Sequence, residues 1–329
     1  MRQKTNRQSN KFLVALALMI GMSCSSSGLA QSWPVRQVTL IYPYAAGSGL
    51  DIAWRIIGQE AAKSLGRPVI VENRPGAGGK LGGESIVRAP KDGYTIGIFN
   101  STVGIFLPVL DPSFRIEPIR DYQPIGLAFE NYLVLLGNPA APYKDFKGLI
   151  AYAKANPGKL NFGSSGSGTT GHVIIELIKL ATGIDVAHIP FKGEAPMTTE
   201  VLSGQVQHAV GSTSAKQLVE AGKLLAIATT GPKRWSPYPV APTFQELGMD
   251  EASLSSWQGL VAPTGVPAEA TAKMNRALMV ALQSPEVRKT MDDQGLVLLG
   301  GGAEEFTARI KSDLERMTKV ARIASIKLD

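Results

Sequence analysis

The feature that most constrains this chain is an alternation of short β-rich runs and helical periods, punctuated by glycine loops. It runs once, stops and starts again. Val38-Thr-Leu-Ile-Tyr42 is a brief apolar run of the kind that forms a buried parallel strand. Pro43 to Gly49 breaks it, and Ile52, Ile56, Ile57 and Ala61 then recur at helical spacing up to Gly66 and Pro68. Val69-Ile-Val-Glu72 predicts a second strand, followed by the loop Gly76-Ala-Gly-Gly79 and a helix to about Ala89. Pro90 and Asp92-Gly93 then turn the chain into Tyr94-Thr-Ile-Gly-Ile-Phe99. This β-α-β-α-β succession predicts an open parallel sheet with helices on both faces.

The second run repeats the plan. Tyr132-Leu-Val-Leu-Leu136 predicts a strand, and Phe146 to Ala155 a helix closed by Asn156-Pro157-Gly158. Leu160-Asn-Phe162 enters the long loop Gly163-Ser-Ser-Gly-Ser-Gly-Thr-Thr-Gly171, and an amphipathic helix follows to Thr182 with Gly183 as its cap. Strands are expected at 184–190, 206–210 and 224–229. The stretch Pro232 to Pro242 predicts a passage between lobes. A strand at Ser255 to Val261 and helices at 268–283, 285–294 and 303–323 come after it, with Pro267 and Pro285 at first-turn positions. With no further strand-rich unit expected, these helices return to complete the first lobe. The fold class is therefore α/β with two lobes, a largely parallel sheet in each and two crossovers. The expected division is a leader over 1–30, a first lobe of 31–130 and 235–329, and a second lobe of 131–234. A cleft that opens and closes about a hinge follows from two crossovers.

The leader is read from its ends. Arg2, Lys4, Arg7 and Lys11 precede the apolar run Phe12 to Met22, which is shorter than the ~20 residues needed to span a bilayer. Gly28 and Ala30 supply the small residues of a cleavage site before Gln31. Cys24 is the only cysteine, and Gly21 three positions before it is a poor lipoprotein signal, so export by cleavage is expected rather than lipid anchoring. The leader holds four of the 34 basic residues and none of the 27 acidic ones, so the overall +7 falls to +3 in the mature chain. Lys and Arg do not cluster with aromatic residues, which argues against a nucleic-acid partner. The mild positive balance suits an anionic ligand.

Ligands of open parallel sheets bind beyond the carboxyl ends of the strands. Four polar loops fall there: Pro43 to Gly49 with Tyr44, Asn100-Ser101-Thr102, Gly163 to Gly171, and Gly211-Ser212-Thr213. Small residues let the backbone approach a ligand, and a following helix aims unpaired N–H groups at a carboxylate or phosphate. Each loop is equally readable as a tight turn with a good helix cap, but two long ones at matching places in both halves favour a binding role.

Catalytic and cofactor signatures are weak. Gly166-Ser-Gly168-Thr-Thr-Gly171 imitates a dinucleotide fingerprint, yet Gly163-Ser-Ser165 separates it from its strand. Ser165 is followed by Gly166-Ser167 and so does not spell a nucleophile elbow. His172, His188 and His208 show no metal-ligand spacing. His172 either lines the cleft or packs, with packing favoured; His188 and His208 are expected to be structural. No catalytic residue, metal or cofactor is expected, and a secreted hydrolase is a minor alternative.

Ten segments in register carry a resemblance. They include Trp33-Pro-Val-Arg36, Pro43-Tyr-Ala-Ala-Gly47 with Asp51, Val71-Glu-Asn-Arg-Pro-Gly-Ala-Gly-Gly79 and Lys91-Asp-Gly-Tyr-Thr95. Leu160-Asn-Phe-Gly-Ser-Ser-Gly166 with His172, His188-Ile-Pro-Phe-Lys-Gly193, Leu202-Ser-Gly-Gln205, Pro239-Val-Ala-Pro-Thr243, Trp257-Gln-Gly-Leu260 and Pro285-Glu-Val-Arg288 continue it. In these the chain resembles the substrate-binding receptors of tripartite tricarboxylate transporters, the Bug receptor family. The resemblance implies a periplasmic, two-lobed Venus-flytrap receptor that hands its ligand to integral membrane transporter subunits, and the receptor itself is expected to be monomeric. It implies a carboxylate ligand (a dicarboxylate, tricarboxylate, amino acid or aromatic acid) held by backbone N–H groups, small hydroxyls and waters.

Carried onto this sequence, Ala46, Gly47 and Ser48 would meet a carboxylate from the first lobe, and Ser165, Ser167, Gly168 and Thr169 from the second. Asp51 would order the first loop or a water, since two negative charges repel. Ser48 stands where a second glycine is common. Phe191 replaces a frequent tyrosine beside the second loop. Arg322-Ile-Ala-Ser-Ile326 lacks the usual Ala-Gly-Ile ending. Lys192 is read either as a partner for a ligand carboxylate or as a surface or inter-loop salt bridge. A ligand-sensing subunit for a signalling partner remains the alternative to transport.

Overall fold

The computed structural model describes residues 32–324. The expected leader, its cut before Gln31, Cys24 and the end of the Arg322–Ile326 segment lie outside the described residues. Within 36–324 the first run gives β1 (Val38–Tyr42), α1 (Gly49–Leu65), β2 (Val69–Asn73), α2 (Lys80–Val87), β3 (Thr95–Asn100) and β4 (Tyr122–Asn131). The second gives β5 (Val134–Gly137), α3 (Phe146–Ala155), β6 (Asn161–Ser164), α4 (Thr170–Thr182), β7 (Ala187–Pro190), α5 (Glu194–Ser203), β8 (His208–Gly211) and β9 (Leu225–Thr229). The chain then forms β10 (Ser256–Pro263), α6 (Ala268–Ala281), α7 (Pro285–Gln294), β11 (Val297–Gly301) and α8 (Ala303–Ala324).

Two sheets result. The first has the order β11-β4-β10-β3-β1-β2, and the second β7-β6-β8-β5-β9. In the first, β1 pairs in parallel with β2 and β3, while β10 runs antiparallel between β3 and β4. In the second, β6 pairs in parallel with β7 and β8, and β5 runs antiparallel to β8 and β9. Both lobes are thus α/β with a parallel strand set, and the strands that run against it are β10 and β11 in the first sheet and β5 in the second. The C-terminal segment returns to the first sheet through β10 and β11. There Trp257 packs edge-on to Phe306 at 5.3 Å and lies 6.1 Å from Phe99. All three rings are fully buried, each removing on the order of 150–250 Å² from water.

The crossings are tied side by side. Leu133 N–H donates to the Thr230 hydroxyl at 2.9 Å, and Thr230 N–H to the Leu133 carbonyl at 3.0 Å. Residues 235–249, expected in the first lobe, pack against the second sheet. Trp235 and Tyr238 join the buried cluster of Tyr132, Val134 and Met197, and Thr243 bridges Thr229 beside β9. The return passage proper is therefore the stretch from Met249 to Ser255.

Helix ends explain why the loops stop where they do. Ser48 caps α1 by accepting from Asp51 N–H, and Gly66 closes it in the left-handed region at φ 65°. Thr169 caps α4 and Gly183, at φ 69°, ends it. Two strands escaped the sequence reading. β4 carries Pro124 and Gly126, which read as punctuation, but Pro124 lies opposite Val261 at a register shift where a missing N–H costs no ladder bond. β11 is a short edge strand hidden behind the Gly295 cap.

Gly82 of α2 fixes the start of the first loop. A Cβ there would lie 2.5 Å from Pro43 Cβ and 2.9 Å from the Arg74 carbonyl. Backbone atoms cannot yield cheaply, so Gly82→Ala is expected to destabilise the protein by about 1–3 kcal/mol, read from the urea midpoint at unchanged slope.

Candidate functional site

The first loop joins β1 to α1. Ala46, Gly47 and Ser48 are exposed, and Gly47 adopts φ 92°. Beneath them Asp51 is buried at 2% exposure, and its carboxylate holds the loop. It accepts from Gly47 N–H at 3.0 Å, from Asn73 Nδ2 at 2.8 Å and from Arg55 Nε at 3.0 Å and Nη2 at 3.2 Å. Asn73 Nδ2 also donates to the Tyr44 carbonyl at 3.0 Å. Burial opposes ionisation of Asp51, but the bonds from Arg55, Gly47 and Asn73 together outweigh it and hold the carboxyl below its ordinary value. Asp51 therefore orders the loop, and its oxygens are spent inside it. Ser48 likewise spends its hydroxyl on the cap, 3.1 Å from Asp51 N. The N–H groups of Ala46 and Ser48 have no internal partner among the described residues.

Tyr44 stands behind this loop, its hydroxyl accepting from Asn100 Nδ2 at 3.1 Å. Burial raises the pKa of that phenol, countered in part by Thr102 and Asn100. Its ring abuts Gly79, where a Cβ would come within 3.2 Å of the hydroxyl. Ser101 and Thr102 are buried at the end of β3.

The second loop joins β6 to α4. Gly168 is buried, and its N–H donates to His172 Nδ1 at 3.1 Å. Thr169 caps α4 and donates its hydroxyl proton to the Gly166 carbonyl at 2.8 Å. Ser165 and Ser167 are half-buried, and their N–H groups have no internal partner among the described residues. The Phe191 ring packs against Gly163, and its N–H donates to the Ser164 carbonyl at 2.9 Å. Ser212 donates to Glu194 Oε2 at 2.8 Å. Lys192 is exposed and, among the described residues, forms no ion pair.

The two lobes bring these loops opposite one another. A Cβ on Gly78 would stand 3.4 Å from the Ser167 carbonyl, and the Ser101 and Thr170 hydroxyls lie 3.5 Å apart. Ser101 also reaches Ser256 at 3.4 Å. Tyr44, Ala46 to Ser48, Ser101 and Thr102 thus belong to one side, and Ser165 to Thr169 to the other. Phe191 and Ser212 flank the second side rather than extend it.

His172 packs, as expected, but in a way the sequence did not reveal. Its ring stacks on that of His188 at 3.8 Å and 8°, directly under the second loop. The Gly168 bond requires a lone pair on His172 Nδ1, so its proton sits on Nε2. His188 Nε2 lies 2.7 Å from the Ser164 hydroxyl. Burial, then His172 and Lys179, push the His188 pKa down to about 3. A separate cavity of about 220 Å³ lies behind the crossings, where Glu130, Ser255 and Arg309 face Leu177. Of the expected ligand residues only Ser101 borders it. Among the described residues no cluster of His, Cys, Asp or Glu could hold a metal ion, and no helix is long and apolar enough to cross a membrane.

The sequence profile described as "Tripartite tricarboxylate transporter family receptor" matches residues 53–326. The chain belongs to this receptor family. BugT of Bordetella pertussis is similar at 30% identity over 323 residues, 96% of this chain and 99% of BugT. Among solved structures, an R. palustris protein with adipate matches at 29% identity with a TM-score of 0.83, covering 90% of this chain and 99% of that one. MatC from Rhodopseudomonas palustris with bound malate matches at 28% with a TM-score of 0.80, covering 88% and 99%. The receptor thus has the two-lobed periplasmic-binding-protein fold. In this family member the residues that sequence reasoning missed act from behind: Asn73 and Arg55 on the first loop, and Glu194 on Ser212. Asn73 falls within Val71–Gly79, but only the fold shows that it faces Asp51.

Proposed function

We propose that this receptor captures a small carboxylate in the periplasm, between the two glycine-rich loops, and delivers it unchanged to membrane transporter subunits. The observation that carries the reading is a pair of glycine-rich loops, each with unpaired N–H groups at the start of a long helix: Ala46 and Ser48 before α1, and Ser165 and Ser167 before α4. Such groups, with the helix dipoles behind them, favour an anion. Ser164 meets His188 Nε2 at 2.7 Å, but that hydroxyl is fully buried under the second loop and burial lowers the imidazole's pKa to about 3, which suits packing rather than a general base. Adipate and malate in two similar structures support a carboxylate as the class. Tying by Leu133 and Thr230 supports a hinge at the crossings, so that closure would bring the loops onto the ligand.

A thermal-shift panel of mono-, di- and tricarboxylates, amino acids and aromatic acids tests this. A ligand at 100 times its Kd should add about 2.7 kcal/mol and raise Tm by several degrees, and mass spectrometry should recover it unaltered. No shift with any acid, or a chemically changed acid, would overturn the proposal.

A further inference from the structure

Glu194 is an acid of the candidate site without an ion pair among the described residues. It opens α5, and its Oε2 accepts from Ser212 Oγ at 2.8 Å and Ser214 Oγ at 2.6 Å. The residue before it, Gly193, donates its N–H to the Ser165 carbonyl at 3.2 Å. The acid therefore stands between the two loops that end β6 and β8. The same turn reaches the first lobe, because Thr213 donates to the Gln294 carbonyl at 2.8 Å. The Gln294 side chain lies against Gly49, 2.3 Å from where a Cβ would be. Glu194 thus sits beside the seam where the two lobes meet.

Asp51, the acid of the first loop, is neutralised by Arg55. Glu194 has no such partner: no Lys, Arg or His nitrogen lies within 4 Å of it among the described residues, and Lys192 extends into solvent. Two hydroxyl protons point at it, which fixes its position without cancelling its charge. It is half-buried, so water screens it only in part. An ionised carboxylate accepts hydrogen bonds and donates none. A ligand carboxylate beside it is repelled, whereas an ammonium or a hydroxyl is drawn in.

We infer that the second loop selects against a second carboxylate, so that the ligand is a monocarboxylate whose far end donates hydrogen bonds, an amino-acid-like zwitterion above all. The inference rests on the carboxylate-cleft reading and narrows it. It sets this chain apart from the relatives described with adipate and malate. An acid in the first turn of a helix is also stabilised by the helix dipole, so the test needs a readout that a purely structural role would leave alone.

Binding is measured by calorimetry for three matched pairs: succinate with β-alanine, glutarate with 4-aminobutyrate, and adipate with 5-aminovalerate. The native receptor is expected to favour the amino acid of at least one pair on the order of tenfold or more. Glu194→Gln keeps an oxygen that accepts from both serines and removes the charge, and it should shrink that preference at least fivefold by improving the dicarboxylate (~1 kcal/mol in selectivity). Should Glu194→Gln fail to fold, raising the ionic strength of the native protein from ~20 to ~300 mM must narrow the same preference. Equal or better binding of the dicarboxylates, unmoved by Glu194→Gln or by salt, overturns the inference and leaves the carboxylate reading standing. Binding of none of the six also overturns the inference, while the carboxylate reading then stands or falls with the wider acid panel.

Discussion

Acidification from pH 6.5 to pH 4 is expected to cost the ligand-free protein several kcal/mol of stability. The cause is two buried histidines. His208 is fully buried between Tyr143, whose hydroxyl lies 2.8 Å from Nε2, and the Leu136 carbonyl, 3.1 Å from Nδ1. The carbonyl can only accept, so Nδ1 carries the proton and Nε2 takes the tyrosine's. Burial holds the His208 pKa down to about 4, and burial with His172 holds His188 at about 3. Both folded values lie below the ordinary 6.5. The unfolded chain therefore binds protons that the folded one refuses, and stability falls as pH drops below 6.5. Each group contributes about 1.4 kcal/mol per pH unit until its folded pKa is passed. His208 alone should cost roughly 3 kcal/mol by pH 4, and His188 somewhat less because it is partly exposed. Urea titrations at pH 7 and pH 4 measure the sum. His208→Gln, which keeps one donor and one acceptor, should be less stable at pH 7 but lose less on acidification. A urea midpoint unchanged between the two pH values would refute the account.

Those histidines also mark the boundary of what the sequence could show. His208 and Tyr143 are 65 residues apart, and His172 and His188 sit on a helix and a strand that no local pattern pairs. Their contact depends on β6 lying between β7 and β8, a register decided by tertiary packing. The loops were legible because glycine, serine and threonine announce turns and caps locally, as Ser48, Thr169 and Gly183 do. At β4 that local logic gives no strand signal, because Pro124 and Gly126 interrupt the run, yet β4 is a bulged central strand. That logic also passed over Glu194, which reads as an ordinary first-turn acid until β8 brings Ser212 and Ser214 to it.

On the proposed function, the arrangement separates ligand contact from loop support. Groups exposed at the loops are backbone N–H groups, which are cheap to place and carry no side-chain identity. The side chains that hold them are buried or half-buried and polar or charged, and a change in one of them must move the backbone above it. Specificity then falls to the few side chains at the seam, and stability of the site falls to the supports. That division predicts a large effect for a residue that touches no ligand.

Asp51→Ala is that case. It removes one acceptor shared by Gly47 N–H, Asn73 and Arg55, and so releases the loop that presents Ala46 and Ser48. Arg55 is 41% exposed on its side chain and can turn to water, which limits the loss from the ion pair itself. Asn73 and the loop backbone have less freedom, so the expected cost is about 2–3 kcal/mol, with ligand affinity falling at least tenfold (about 1.4 kcal/mol). Asp51→Asn retains an acceptor for Gly47 but loses the charge that Arg55 meets, and should fall between the two. The pH dependence separates this from the histidine effect. Because the folded pKa of Asp51 lies below its ordinary 3.8, its contribution is complete above that value and is lost as pH falls through the folded one. The gap between native and Asp51→Ala should therefore stay constant from pH 7 to pH 4.5, while both lose stability together through their histidines. It should close only in stronger acid. If Asp51→Ala binds ligand as tightly as the native protein at pH 7, the first loop is held by something other than this carboxylate.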